Sequence, residues 1–116
     1  MDEPRSVKVT PDRYVTYRYA GASGDFNPIH LDDEFARSVE LPGKILHGLW
    51  TMAQVARTAS DDPLALKSLS VQFRGIGVPE KEIEITFKPR GDGEFDCEAV
   101  QDSNKLVRRG RAVLKL

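Results

Sequence analysis

Period-two alternation dominates the second half of the chain. Leu69, Val71 and Phe73 alternate with Ser70, Gln72 and Arg74, and Ile83, Ile85 and Phe87 with Glu82, Glu84 and Thr86. Phe95, Cys97 and Ala99 alternate with Glu94, Asp96 and Glu98, and Ala112, Leu114 and Leu116 with Arg111, Val113 and Lys115. This pattern predicts an antiparallel meander with one face buried and one wet. Its turns are Gly77-Val78-Pro79, the run Pro89 to Gly93, and Asp102-Ser103-Asn104. The first half reads differently. Val7 and Val9 suggest a short strand. Thr10 as cap and Pro11 as first residue predict a helix over 11–22, with Val15, Tyr19 and Ala22 on one face and Ser23-Gly24 as its stop. Asp25 to His30 contains Asn27-Pro28 and reads as an ordered turn. Asp32-Asp33-Glu34 opens a second short helix running to about Glu40. Residues 45–59 predict a third helix, with Leu49, Met52, Ala53 and Ala56 on one apolar face and Trp50 and Val55 on the others, and so buried on most sides. Asp61-Asp62-Pro63 ends it. The layout is α+β: a curved antiparallel sheet wrapped around a long central helix.

Composition narrows the possible functions. The 116 residues suit one domain, residues 1–116. The 17 Lys and Arg nearly cancel the 18 Asp and Glu, so no overall field draws nucleic acid or an acidic membrane. Arg108, Arg109 and Arg111 are read as a solvated strand face, with a phosphate-bearing ligand or carrier as the other reading. Cys97 is the single cysteine, so no intrachain disulfide forms. That fits a reducing compartment. The segment MDEPRSVKVT lacks the apolar run of a secretory leader, and no stretch reaches transmembrane length; the expected location is cytoplasmic.

Asp25 and His30 are the candidate chemistry. They stand five residues apart across a Pro-containing turn able to bring both side chains toward one point. A histidine titrates near neutrality and a carboxylate orients and tunes it, which makes an acid/base pair. The spacing alone is equally compatible with Asp25 bonding turn amides and His30 being an ordinary surface or core histidine. His47 is expected to hold a helix start through a backbone bond. Asp25, His30 and His47 match no standard zinc or iron spacing, so no metal is expected. Cys97 reads as packing, and Ser23 lacks the context of a nucleophile elbow.

The run Ser23-Gly24-Asp25-Phe26-Asn27-Pro28-Ile29-His30, with Ala36 six residues on, resembles the signature of the MaoC-like hydratase family. That family includes (R)-specific enoyl-CoA hydratases and (3R)-hydroxyacyl-ACP dehydratases. Ala22 departs from it, being smaller than the aliphatic residue often found there. Ile45-Leu46-His47-Gly48 is similar to the family's start of the central helix. The resemblance implies the hotdog fold and a hydro-lyase acting on trans-2-enoyl or (3R)-hydroxyacyl thioesters of CoA or ACP, in fatty-acid metabolism, without a cofactor. It implies Asp25 and His30 as the acid/base pair and the Gly48 N–H as donor to the thioester carbonyl. Gly24, Asn27, Ser23 and His47 support the site. Leu49, Trp50 and Met52 of the central helix read first as core residues, with a place on a wall of the acyl tunnel as the other reading.

The run from Tyr19 to His30 is especially similar to the catalytic subunit of actinobacterial (3R)-hydroxyacyl-ACP dehydratases, which pairs with a hotdog partner lacking the dyad. A homodimer, or a heterodimer with another hotdog subunit, is therefore expected. Two other functions were weighed. A hotdog acyl-CoA thioesterase usually carries its carboxylate on the central helix, and residues 48–59 contain no Asp or Glu. A non-enzymatic acyl-binding subunit is expected to have lost the dyad, and this chain has both members.

Overall fold

The computed structural model describes residues 3–115. Five strands form one antiparallel sheet: β1 (Arg5–Val9), β2 (Leu66–Phe73), β3 (Ile83–Gly91), β4 (Glu94–Gln101) and β5 (Asn104–Leu114). Their spatial order is β1-β3-β4-β5-β2. Three helices precede β2: α1 (Val15–Ser23), α2 (Asp33–Ser38) and α3 (Gly48–Thr58). α3 lies against β5, β2 and β4 in the hotdog arrangement.

β3 and β4 take their expected faces, whereas Phe73 at the end of β2, expected inward, is 51% exposed. β4 alternates half-buried and buried along its whole length, sending Phe95, Cys97 and Ala99 inward. Ile83, Ile85 and Phe87 of β3 are buried with them, against Val55 of α3 and Val107 of β5. Two tight turns close the hairpins. Asp92 and Gly93 both take positive φ between β3 and β4, as do Asp102 and Ser103 between β4 and β5, the geometry that matches strand twist. The first turn is thus shorter than the run 89–93, because Pro89 and Gly91 already pair with β4. Gly110 of β5 crosses Cys97 so closely that a Cβ there would lie 2.6 Å from Cys97 Sγ and 2.7 Å from its carbonyl oxygen.

Four expectations need correction. First, the meander covers only β3, β4 and β5; β2 crosses over to pair with β5, Leu69 opposite Ala112. Alternation fixes which face a side chain takes and not which strand lies alongside. Second, α1 starts at Val15 and not at Pro11. The Pro11 carbonyl accepts the Glu80 N–H at 2.7 Å, which ties it to the loop before β3, and Thr10 caps nothing. Asp12 instead accepts the Tyr14 N–H. Third, the central helix begins at Gly48; Ile45 and Leu46 lie outside it, with the Leu46 N–H on the Gly77 carbonyl and His47 in extended backbone. Fourth, α3 is buried on one face only. That face is Thr51, Val55 and Ala59, whereas Leu49 is 59% exposed and Ala53 is open to solvent. The second helix stops slightly early, at Ser38. The expectation for Leu116 lies outside the described residues.

The arginine run is largely engaged in strand-face pairs. Arg111 reaches Glu94 and Asp96, and Arg108 donates to the Gln72 side chain. Among the described residues no helix is long and apolar enough to cross a membrane.

Candidate active site

The segment joining α1 to α2 is held by its own short polar side chains. Gly24 takes φ 79° and closes α1, its N–H on the Ala20 carbonyl at 2.8 Å. A residue with a Cβ would be strained in that left-handed conformation. The Ser23 hydroxyl then accepts the Asp25 N–H at 3.1 Å, Asp25 Oδ1 accepts the Asn27 N–H at 3.2 Å, and Asn27 Oδ1 accepts the Ile29 N–H at 3.2 Å. Each side chain replaces a backbone partner two residues on, which fixes an irregular path. Pro28 opens the 3-10 turn Pro28–His30, and that turn carries His30 inward.

The turn brings the candidate pair together. His30 Nε2 lies 3.8 Å from Asp25 Oδ2. His30 is 7% exposed, whereas Asp25 faces solvent. The Nδ1 of His30 lies 2.8 Å from the Ile45 carbonyl, an obligate acceptor, so Nδ1 carries the proton. Nε2 is left with its lone pair on the Asp25 side. At 3.8 Å the two atoms are too far apart for a direct hydrogen bond, and a small hydroxylic group held by both is the natural bridge.

His30 and Gly48 line a cavity of about 200 Å³, together with Thr51, Phe73, Ile76 and Leu106. Gly48 is the first residue of α3, and its N–H has no protein partner among the described residues. A free N–H at a helix start is a positively polarised donor. The Phe73 ring crosses this point so closely that a Cβ on Gly48 would lie 3.2 Å from it. Sequence reasoning missed Thr51 and Phe73. Leu49, Trp50 and Met52 do not line this cavity; Trp50 packs against the core as expected, whereas Leu49 is exposed.

His47 does not cap α3 through its side chain. Its Nε2 instead donates to the Asp25 carbonyl at 3.1 Å, while its ring stacks on His30 with centroids 3.8 Å apart and 19° between planes. Tyr19 of α1 packs on the same imidazole at 4.9 Å. Burial holds the His47 pKa below its ordinary value, with the bond to the Asp25 carbonyl opposing this and His30 adding to it. Asp25, His30 and His47 each offer an atom within 4.8 Å of the others. One nitrogen of each ring is already bonded to a backbone carbonyl, His30 Nδ1 to Ile45 and His47 Nε2 to Asp25, and the stacked planes keep the remaining in-plane lone pairs in separate layers, which suits an ion poorly because ligands must converge on it. Cys97 packs in the core, and burial pushes its thiol up to about 11.

The fold and the site together define a hotdog domain with an Asp–His pair beside a free helix-start amide, and comparison with known proteins gives the family. The MaoC like domain matches residues 1–109. The chain belongs to the MaoC-like family. It is 38% identical over 108 residues to the peroxisomal enoyl-CoA hydratase 2 of Arabidopsis thaliana, covering 89% of this chain and 34% of that protein. It is 41% identical over 91 residues to the fatty acid synthase subunit beta of Schizosaccharomyces pombe, covering 72% of this chain and 4% of that one. A MaoC-like dehydratase from Phytophthora capsici superposes with a TM-score of 0.89 at 27% identity, covering 97% of this chain and 42% of that one. The chain thus spans about a third or less of the curated relatives it matches.

Proposed function

We propose that the protein is a hydro-lyase that adds water reversibly to trans-2-enoyl thioesters of CoA or ACP, giving (3R)-hydroxyacyl thioesters in fatty-acid metabolism. The observation that carries this reading is the convergence of three groups: the His30 Nε2 lone pair, the Asp25 carboxylate 3.8 Å away, and the free Gly48 N–H on the cavity that His30 also lines. Water bridging His30 and Asp25 loses a proton to the pair as its oxygen bonds C3. The pair returns a proton to C2, so the elements of water are added and nothing is oxidised. Charge gathers on the thioester oxygen in between, and the Gly48 N–H bonds it there. A fixed donor needs no reorganisation at the moment of reaction, and losing one typically costs about 3–4 kcal/mol of barrier. Asn27, Gly24 and Ser23 hold the loop that makes the geometry.

Two features of the chain support this over hydrolysis or mere binding. α3 offers the site no carboxylate of its own, and the chain keeps both members of the dyad. The relatives named for enoyl-CoA hydration and fatty acid synthesis support the substrate class. We further propose that the unit works beside a second hotdog unit, either its own copy or another subunit, and that it resides in the cytoplasm. The test is loss of enoyl-thioester absorbance when the purified protein meets crotonyl-CoA, with Asp25→Asn and His30→Ala as controls. Loss in the wild type that both variants abolish is expected. A folded wild type that leaves crotonyl-CoA and an enoyl-ACP untouched, alone and with a hotdog partner, overturns the reading.

A further inference from the structure

The His47 imidazole makes more contacts with the reacting loop than a helix-start residue requires. It is 3% exposed and lies between Tyr19 of α1 and His30 of the 3-10 turn. Its Nε2–H donates to the backbone carbonyl of Asp25, so one ring joins α1, the reacting loop and the start of α3. The bond falls on the residue whose carboxylate must face His30. Asp25 is otherwise exposed, and its remaining restraints are local bonds at 3.1 and 3.2 Å within its own loop. The His47 bond is the long-range tie.

We propose that His47 is a positioning residue: its bond to the Asp25 carbonyl, made from a ring clamped between Tyr19 and His30, sets the Asp25–His30 geometry. The proposal rests on the hydro-lyase reading for its catalytic meaning, and on geometry alone for its structural content. The protonation pattern agrees with it. His47 Nδ1 is buried without a partner, so a proton there would be a buried donor with no acceptor. The ring therefore holds its single proton at Nε2, where the Asp25 carbonyl takes it, and presents an uncharged face to His30. Burial holds its pKa down in the same sense. The titratable groups facing this ring are His30, Asp25 and Tyr19. When His30 takes a proton from water, the neutral face beneath it adds no repulsion, as a second imidazolium would.

Two substitutions separate the bond from the packing. His47→Phe keeps the volume and the stacked ring and removes the donor. His47→Gln places an amide N–H near the lost Nε2–H and removes the ring. A misplacement on the order of 1 Å at a reacting group costs up to about 100-fold in rate. His47→Phe is expected to lower kcat/KM for crotonyl-CoA between about 10- and 100-fold, chiefly in kcat, while His47→Gln stays within about threefold of wild type. His47→Phe at or above His47→Gln overturns the proposal, because packing alone then accounts for the residue. His47→Leu replaces His47→Phe in this ordering if the phenyl ring does not fit.

A second readout needs no substrate. The Asn27 amide bonds the Asp25 side chain, so its NMR resonance reports where that side chain sits. The Asn27 amide is expected to move from its wild-type position in His47→Phe and to stay near it in His47→Gln. The same displacement in both variants overturns the proposal even if hydration is observed. Inactive wild type with the Asn27 amide displaced in His47→Phe alone removes the hydro-lyase reading and leaves His47 as the residue that positions Asp25.

Discussion

At the residue scale, the chemistry depends on which imidazole nitrogen is free. Ile45 takes the Nδ1–H of His30, so Nε2 is the nitrogen that would serve as base in the proposed reaction, and replacing the ring removes it together with the stack on His47. His30→Ala is expected to lower the hydration rate by about 100- to 10,000-fold, the usual share of acid/base assistance. Circular dichroism should show an unchanged fold; near-full activity in the folded variant would remove His30 from the mechanism. His47 makes a separate prediction about stability. Its folded pKa lies below the ordinary 6.5, so the unfolded chain binds more protons as pH falls. Its contribution is fully present above about 6.5 and is lost as pH drops through the lowered folded value. Melting temperature measured from about pH 7.5 to about 5 should fall less steeply in His47→Phe than in the wild type. An identical slope would mean that His47 binds protons equally in the folded and unfolded states.

Spacing alone left the pairing of Asp25 with His30 open, and the resemblance to the MaoC-like family pointed to it; the loop that brings the two together is held locally. Ser23, Asp25 and Asn27 each bond a backbone N–H two residues on, and that is a sequence-range interaction. The partner of His47 was not legible, since the Asp25 carbonyl lies 22 residues away and backbone atoms leave no mark on composition. Thr51 and Phe73 were missed for a related reason. Thr51 reads as the polar residue of an apolar helix, and Phe73 as one more inward residue of a strand. Only packing shows that both face the cavity with Gly48.

At the element scale, the start of α3 does work that its sequence half disclosed. The helix was expected from Ile45, yet the Leu46 N–H bonds Gly77 and the helix opens at Gly48, which leaves the Gly48 amide as a free first-turn donor. A proline is accepted at such a position, because the missing N–H has no helical partner and His47 already has the extended backbone that a following proline needs. Gly48→Pro therefore deletes the donor while keeping the helix. Gly48→Ala is its control, since it adds a Cβ against Phe73 but keeps the N–H. The proline variant is expected to lose about 100- to 1,000-fold in kcat relative to the alanine variant. Equal rates in steady-state assays would move the carbonyl-binding role elsewhere. The strand elements were legible in type and, for β3 and β4, in face, but β2 was placed beside the wrong neighbour because no local signal records a crossover. Likewise α1 was started too early, because Thr10-Pro11 reads as a good helix start until Pro11 is seen bonded to Glu80.

At the scale of the whole molecule, the sheet and α3 do not close a compact body. The radius of gyration is 14.8 Å with extents of 47 × 28 × 20 Å, where a compact domain of this length has about 13 Å. The outer face of α3 shows Leu49 and Ala53 to solvent, and the cavity mouth shows Phe73 at 51% exposure beside Ile76. Expecting α3 to be buried on most sides was wrong for the single chain, although the apolar residues that prompted it are real. A second hotdog unit against this face would bury them and roof the cavity at once, which explains why Leu49 is apolar where nothing in the chain covers it. The purified protein is expected to sediment at micromolar concentration near twice its 13.0 kDa mass. Leu49→Glu should shift it to the monomer, since a buried unpaired carboxylate is costly at an interface. Hydration should fall as dimerisation is lost and recover at protein concentrations that restore the dimer, which separates the partner's effect from a local one of the new carboxylate beside Gly48. A wild type that is monomeric by ultracentrifugation and fully active would show that the half-open cavity is already complete, with the apolar face of α3 left to some other purpose.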